Sequence, residues 1–313
     1  MTDEDDLTIP QALIVLIVLA AATFRFHRSQ TDSGLSNHSR ISQPAMRMND
    51  QLGRQVILPD RPQRIISLCP SETETLAALV TPDRIVGCTS YCRYPETLVS
   101  GLAKVGGTKR LDLQAIQALK PDLIISVREE NSEDQITALA KDFPTLILDP
   151  VDHKTTFESI HMLGLAVGEP TRAAALAEDI EAALGGLEKV QGQRALYLIW
   201  RKPYMAAGSD TFIDGMLQTL GFENAASSLS GRYPTLDDDA LNGVFPDVIL
   251  AASEPFPFEE KHRAELQSRF PTCRVYLVNG EAFGWHGVRT LHATVTLNAL
   301  VREICAQDSA ITR

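Results

Sequence analysis

LDLQAIQALKPDLIIS (Leu111–Ser126) and LDDDALNGVFPDVILAAS (Leu236–Ser253) are two versions of one pattern. Each opens on acid at a helix start, runs through a helical stretch, meets a Pro-Asp step and ends in an apolar strand. Proline lacks a backbone donor and ends the helix before it, so Pro121 and Pro246 punctuate both copies at the same place. These prolines lie 125 residues apart, and Arg64 and Arg194, which open RIISL and RALYLIW, lie 130 apart. Two landmarks with nearly one offset predict a duplicated α/β lobe, over about 55–150 and 194–305.

Around these copies, short apolar runs alternate with helical patterns. RIISL (64–68), RIVGCT (84–89) and TLILD (145–149) read as strands. PSETETLAAL (70–79) reads as a helix with Ser71 as N-cap and Glu74 at capping-box spacing. In the second copy Ser209 is expected to cap TFIDGMLQTLGF in the same way. The alternation predicts βα units on mainly parallel sheets. Between the lobes, EPTRAAALAEDIEAALGGLEKVQG (169–192) repeats Leu176, Ile180, Leu184 and Leu187 at helical spacing. The spacing predicts one helix of about 18–20 residues, about 30 Å long. Gly185-Gly186 costs it about 2 kcal/mol relative to alanine and predicts a kink. The chain thus divides into an apolar segment and linker (1–50), a first lobe (51–152), a helical connection (153–193) and a second lobe (194–313).

Of 313 residues, 44% are hydrophobic and 22% charged, which argues against a mostly disordered chain. The formal net charge of −11 excludes a general nucleic-acid binder, whose surface must neutralise phosphates. Ala12–Phe24 is one apolar run, short of the roughly 20 residues of a membrane span and matched to a signal-peptide core. Ala20-Ala21-Ala22 supplies small residues near its end, whereas the preceding stretch is acidic rather than basic. An export signal or membrane anchor is expected; a start at Met46 or Met48 would instead leave a cytosolic protein. Residues 29–50 read as linker.

The five cysteines are too few for a disulfide scaffold. Cys88 and Cys92 have three residues between them and no second pair, which is not zinc spacing. Cys69, Cys88 and Cys273 read as small buried hydrophobes. G-x-S-x-G, P-loop, G-x-G-x-x-G and H-E-x-x-H patterns are missing, and the seven histidines form no ligand cluster. No catalytic residue and no metal ligand is therefore expected.

Ligands of open α/β sheets sit outside the carboxyl ends of the strands. Those positions hold Pro70, Ser71, Tyr91, Arg93, Tyr94, Arg128 and Glu129 in the first lobe. In the second they hold Trp200, Arg201, Tyr204, Glu254, Glu281, Trp285, His286 and Arg289. Both tryptophans of the chain fall in this set. Aromatic faces beside arginines suit a large, partly planar ligand with polar edges. Glu133 and Asp239 stand at helix starts, either complementing the helix dipole or offering one carboxylate per lobe to a basic partner.

RIISLCPSETETLAAL, the paired helix-Pro-Asp-strand units, YLIWRKPYMAAGSDTFID, SEPFPF and VNGEAFGWHGVR resemble the class III periplasmic substrate-binding proteins of ABC importers, of the cobalamin and iron-siderophore type. The resemblance covers about 52–305 and is to the helical-backbone metal receptor branch. It implies two similar Rossmann-like α/β lobes with central parallel sheets, joined by a single long α-helix. It implies a monomeric, non-enzymatic receptor, periplasmic or membrane-anchored, that binds a corrinoid (cobalamin), haem or iron chelate and meets a permease with its ATPase. The metal would arrive inside the ligand, with no prosthetic group. Glu133 and Asp239 match the permease-docking acids, and Tyr91, Glu281 and Trp285 match cleft contacts. Val127 departs from the tryptophan of the cobalamin proteins.

The expected ligand contacts are thus Pro70, Ser71, Tyr91, Arg93, Arg128, Trp200, Arg201, Tyr204, Glu281, Trp285, His286 and Arg289. Trp200, Trp285 and Tyr91 would stack on the ligand, while Arg93, Arg201 and Arg289 pair with its edges. The alternatives are a cytosolic enzyme or ligand sensor on the same fold, if translation starts at Met46 or Met48, and a bare zinc or manganese receptor.

Overall fold

The computed structural model describes residues 45–311. The apolar run Ala12–Phe24 lies outside the described residues. The chain enters through an antiparallel hairpin of β1 (Ala45–Asn49) and β2 (Gln55–Pro59). The linker expected over 29–50 therefore ends in a strand. Val56 and Leu58 turn inward while Ile57 is exposed, the period-two pattern of a one-sided strand.

The first lobe is built on β3 (Ile65–Ser67), β4 (Ile85–Cys88), β5 (Ala103–Lys104), β6 (Leu123–Val127) and β7 (Thr145–Leu148). Their order is β5-β4-β3-β6-β7, all parallel. Every residue of β6 and β7 is buried, as expected of parallel strands covered on both faces. The helices are α1 (Pro70–Leu79), α2 (Glu96–Val99), α3 (Leu113–Leu119) and α4 (Glu133–Leu139). The N-cap of α1 is Cys69, not Ser71; Pro70 takes the first helical position, where its missing donor costs nothing. Ser71 is buried inside the first turn.

Helices α5 (His153–Val167) and α6 (Pro170–Gly185) follow, joined by a turn at Gly168 with φ 75°. They cross closely enough that a Cβ on Gly164 would overlap that of Ala173. Helix α6 carries the chain between the lobes. Arg172 near its start donates to Leu79 O of the first lobe at 3.0 Å, and Val190 beyond its end donates to Leu220 O of the second at 2.9 Å. At 16 residues it is a little shorter than expected: the two glycines stop the helix instead of kinking it, and Gly186 is its C-cap.

The second lobe contains β8 (Gln193–Trp200), β9 (Tyr204–Ala206), β10 (Phe222–Asn224), β11 (Thr235–Leu236), β12 (Val248–Ala252) and β13 (Arg274–Val278). The order is β11-β9-β8-β12-β13, with β10 also on β8. Strands β8, β10, β12 and β13 are parallel, but β9 returns antiparallel on β8 and β11 antiparallel on β9. Its helices are α7 (Phe212–Thr219), α8 (Asp238–Gly243), α9 (Glu260–Arg269), α10 (Gly280–Gly284) and α11 (Arg289–Ile311). Thr211, not Ser209, caps α7 by accepting from Asp214 N.

The landmarks of the sequence repeat are bonded to each other. Asp122 accepts from the backbone N–H of Arg64 at 2.7 Å, and Arg64 returns two bonds to Leu119 O. In the second lobe Asp247 accepts from Arg194 N at 2.7 Å, and Arg194 donates to Phe245 O. The Pro-Asp step thus ends each helix and fastens the head of the neighbouring strand.

One continuous core runs from Ile65 and Leu146 of the first lobe through Leu163, Ile180 and Leu184 of α5 and α6 to Tyr197 and Leu250 of the second. The opposite faces of the two sheets form separate clusters around Ile66, Ile124 and Ile147, and around Leu196, Leu198 and Ile249. Among the described residues no helix is long and apolar enough to cross a membrane.

Candidate functional site

The carboxyl ends of the two sheets meet, and the segments leaving them supply a ring of paired charges and aromatic rings. The first turns of α1 bring Glu72 and Glu74, both buried. Glu72 Oε1 lies 2.6 Å from Nε2 of His286, at the end of α10. Glu74 receives Nε and Nη2 of Arg289 at 3.0 and 2.9 Å, a two-pronged pair. Gly287 (φ 72°) lies against Thr75, whose hydroxyl a Cβ would overlap, so conformation and close approach both require glycine.

The loop after β4 brings Tyr91, Arg93 and Tyr94. Arg93 reaches Glu254 after β12 at 3.0 Å and Glu281 in α10 at 3.2 Å. Trp285 Nε1 donates to Glu254 at 2.7 Å, and its ring meets Tyr94 edge-on at 6.0 Å. The Arg289 guanidinium lies 3.7 Å over the Tyr94 ring, a cation–π contact. Tyr91 is 54% exposed. The segment after β6 brings Glu129, which accepts from Arg232 at 2.9 Å and from the Tyr233 hydroxyl. Glu130 stands beside it, and Lys109 donates to Glu129 O.

Burial raises the carboxyl pKa of Glu74, Glu130 and Glu254, against the pull of Arg289, Lys109 and Trp285 respectively. Burial alone would lower the His286 imidazole, but the Glu72 charge, reinforced by Glu130 and Glu129, outweighs it and holds the pKa above its usual value.

Tyr91, Arg93, Glu281, Trp285, His286 and Arg289 therefore come together as expected positions of one site, with Pro70 and Ser71 in the adjoining first turn of α1. Arg128 pairs with Asp149 of its own lobe at 2.8 Å. Three expectations are corrected. Trp200 is 4% exposed and packs edge-on against Phe256 in the core, because β9 pairs back over it, so its faces are not free to stack. Arg201 and Tyr204 both bind Glu265 of α9 and take no part in the inter-lobe ring. The arginines that do join it already hold carboxylates of the opposite lobe. Sequence reasoning missed Glu72, Glu130, Arg232 and Tyr233, and took Glu74 as a capping residue. Glu130 sits at a strand end, where the strand-end rule finds it; Arg232 and Tyr233 carry no such signal.

Among the described residues no three His, Cys, Asp or Glu side chains are grouped to hold a metal ion. Glu133 and Asp239 both project from helix starts as exposed side chains.

A family model described as periplasmic binding protein matches residues 65–271. The chain belongs to the periplasmic binding protein family. This binding protein is 29% identical over 216 residues to the uncharacterized ABC transporter substrate-binding lipoprotein YvrC of Bacillus subtilis (strain 168), covering 65% of this chain and 68% of that one. It is 26% identical over 260 residues to the vitamin B12-binding protein of Pectobacterium carotovorum subsp. carotovorum (strain PC1), covering 80% and 90%. The apo periplasmic heme-binding protein RhuT from Roseiflexus sp. RS-1 shares the fold with a TM-score of 0.62 at 23% identity, over 76% and 96% of the chains. The family is one of transport receptors, so the binding protein is not an enzyme.

Proposed function

We propose that this binding protein is the extracytoplasmic receptor of an ABC importer, periplasmic or membrane-anchored, and that it takes a cobalamin-like corrinoid or an iron chelate between its lobes. The observation that carries this reading is the ring of Tyr91, Tyr94 and Trp285 interleaved with Arg93, Arg289 and the carboxylates opposite them. Flat ring faces offer stacking area, and the rim both donates and accepts hydrogen bonds. The rim is balanced, not basic: Glu72, Glu74, Glu129, Glu130, Glu254 and Glu281 face Lys109, Arg93, Arg232, Arg289 and His286. Amide-edged corrinoids use both kinds of partner, whereas a dicarboxylate such as haem needs an excess of cations. Pro70, Ser71 and Arg128 would line the first-lobe wall.

The test is titration of residues 45–313 with cyanocobalamin, haemin and a ferric siderophore, followed by tryptophan fluorescence. Saturable quenching is expected, with cyanocobalamin preferred to haemin. No response to any of the three would sink the reading.

Glu133 and Asp239 are the proposed contacts to permease arginines, one per lobe. Replacing both by lysine is expected to leave ligand affinity in solution unchanged and to stop ATP-driven uptake into vesicles carrying the permease and its ATPase. Uptake at the wild-type rate would remove these two residues from the docking surface.

A further inference from the structure

Behind the exposed loop that carries Tyr91 and Arg93 lies a pair of buried thiols. Cys88 ends β4, and Cys92 sits one tight turn later, with its N–H donating to Thr89 O at 3.2 Å. The two residues pack together in one small buried cluster with Val99. Cys92 Sγ is also held by the hydroxyls of Thr73 at 3.1 Å and Thr89 at 3.2 Å, while Lys104 Nζ donates to Cys88 Sγ at 3.2 Å. Thr73 gives its one hydroxyl hydrogen to Ser67 Oγ or Cys69 O and so accepts from the Cys92 thiol, whereas a Thr89 hydroxyl donor favours the Cys92 thiolate. The Lys104 ammonium adds positive charge beside Cys88, whose pKa is nevertheless raised. Such a setting is unlike that of Cys273, whose Sγ bonds a backbone carbonyl.

We propose that Cys88 and Cys92 are a redox-active pair that a disulfide oxidant converts to an intramolecular disulfide, and that this bond repositions the cleft loop bearing Tyr91 and Arg93. Hydrogen bonding at the Cys92 sulfur prevails over burial and lowers its pKa, while Cys88 is raised, so Cys92 is the attacking sulfur of the two. The Cys92 thiolate attacks one sulfur of the oxidant; that S–S bond breaks and the first thiol leaves with a proton. Cys88 loses its proton to solvent and attacks the Cys92 sulfur of the mixed disulfide, expelling the second thiol. Two electrons pass from the dithiol to the oxidant, and one S–S bond replaces another.

The geometry ties this bond to the cleft. The sulfurs must close to about 2.05 Å, drawing Cys92 away from Thr73 and Thr89. Arg93, the next residue, holds Glu254 and Glu281 across the lobes, and Tyr91, the residue before, lies against Gly107. The exposure of Ser90, Tyr91 and Arg93 lets the loop open to an oxidant although Cys92 itself is 4% exposed.

Trypsin reads the pair cleanly. Cleavage after Arg84 and Arg93 releases IVGCTSYCR, which contains both cysteines and no other. The full chain is equilibrated at pH 7 with glutathione disulfide, denatured, alkylated and digested. The peptide is expected to pass completely from doubly alkylated to unalkylated and lighter by two hydrogens, while the Cys69 and Cys273 peptides stay alkylated. Cys88→Ser is expected to stop at a glutathione adduct on Cys92. The emission of Trp285, which touches the Arg93 partners, is expected to shift on oxidation of the ligand-free protein and to recover with dithiothreitol. A peptide that remains doubly alkylated overturns the redox pair. A disulfide without an emission change overturns its control of the cleft. Neither readout needs a ligand, so both stand apart from the titrations that test the receptor reading.

Discussion

His286→Ala is expected to lower the melting temperature by roughly 5–15 °C near pH 6. Glu72 is 1% exposed, and within the described residues its second carboxyl oxygen has no hydrogen-bond partner. Its ion-pair partner among the described residues is His286, itself buried, at 2.6 Å. Removing one member of a buried ion pair costs about 3–5 kcal/mol, because the other charge stays buried. The sign of the pH dependence follows from the raised His286 pKa. A group raised on folding gives its full stabilisation below its unfolded value, about 6.5, and loses it as pH rises through the folded value. The gap between wild type and variant should therefore be widest near pH 6 and narrow on the alkaline side. Scanning fluorimetry from pH 5.5 to 9 measures it. A variant that melts with the wild type across that range would show that the pair does not hold the lobes.

The inter-lobe contacts are unequal, and the inequality gives the cleft a direction. The Arg93 side chain is 58% exposed, so its links to Glu254 and Glu281 are worth about 0–1 kcal/mol each after solvent screening. Glu72–His286 and Glu74–Arg289 are enclosed, with side-chain exposures of 2–13%. The side where α1 meets α10 and α11 is therefore the firm one. The side at Tyr91 and Arg93 is where the lobes part at least cost, and it is also where the Cys88–Cys92 turn lies.

The lobes were legible because their determinants are local. Pro121-Asp122 and Pro246-Asp247 each end a helix and bind the head of an adjacent strand, so one covalent pattern marks each lobe. The strand-end rule likewise names Tyr91, Arg93, Glu281, Trp285, His286 and Arg289, which the structure places on segments that face each other across the lobes. The site's acids were hidden for the opposite reason. Glu72 and Glu74 have the spacing of a capped helix start, while their partners lie 214 and 215 residues away, a separation that carries no local signal. Trp200 misled because it ends a strand: whether such a residue lines a cleft or the core depends on β9, whose antiparallel return the first lobe does not share. Gly185-Gly186 shows the limit of a propensity argument. Two adjacent glycines weaken a helix, and only the tertiary setting of Leu187 and Val190, buried against the second lobe, turns that weakness into a terminus.

Trp285→Ala is expected to weaken ligand binding at least ~30-fold, about 2 kcal/mol, the loss typical of removing a central aromatic anchor. The indole is partly exposed, meets Tyr94 edge-on and donates to Glu254. In the unliganded protein its removal wets a rim instead of emptying a core, and Glu254 keeps Arg93, so the melting temperature should move by no more than about 3 °C. Trp200 gives the contrast, since a truncation there empties a buried site and costs about 3–5 kcal/mol of stability. Trp285→Phe separates the two roles of the ring: it keeps most of the stacking face and loses the Nε1 donor, so it should fall between wild type and alanine. Calorimetric titration with the ligand that quenches the wild-type protein measures all three, since it does not depend on the fluorophore being removed. Trp285→Ala with unchanged affinity and a large fall in melting temperature would make Trp285 a packing residue, and the cleft ring would then have to recognise its ligand without its largest aromatic face.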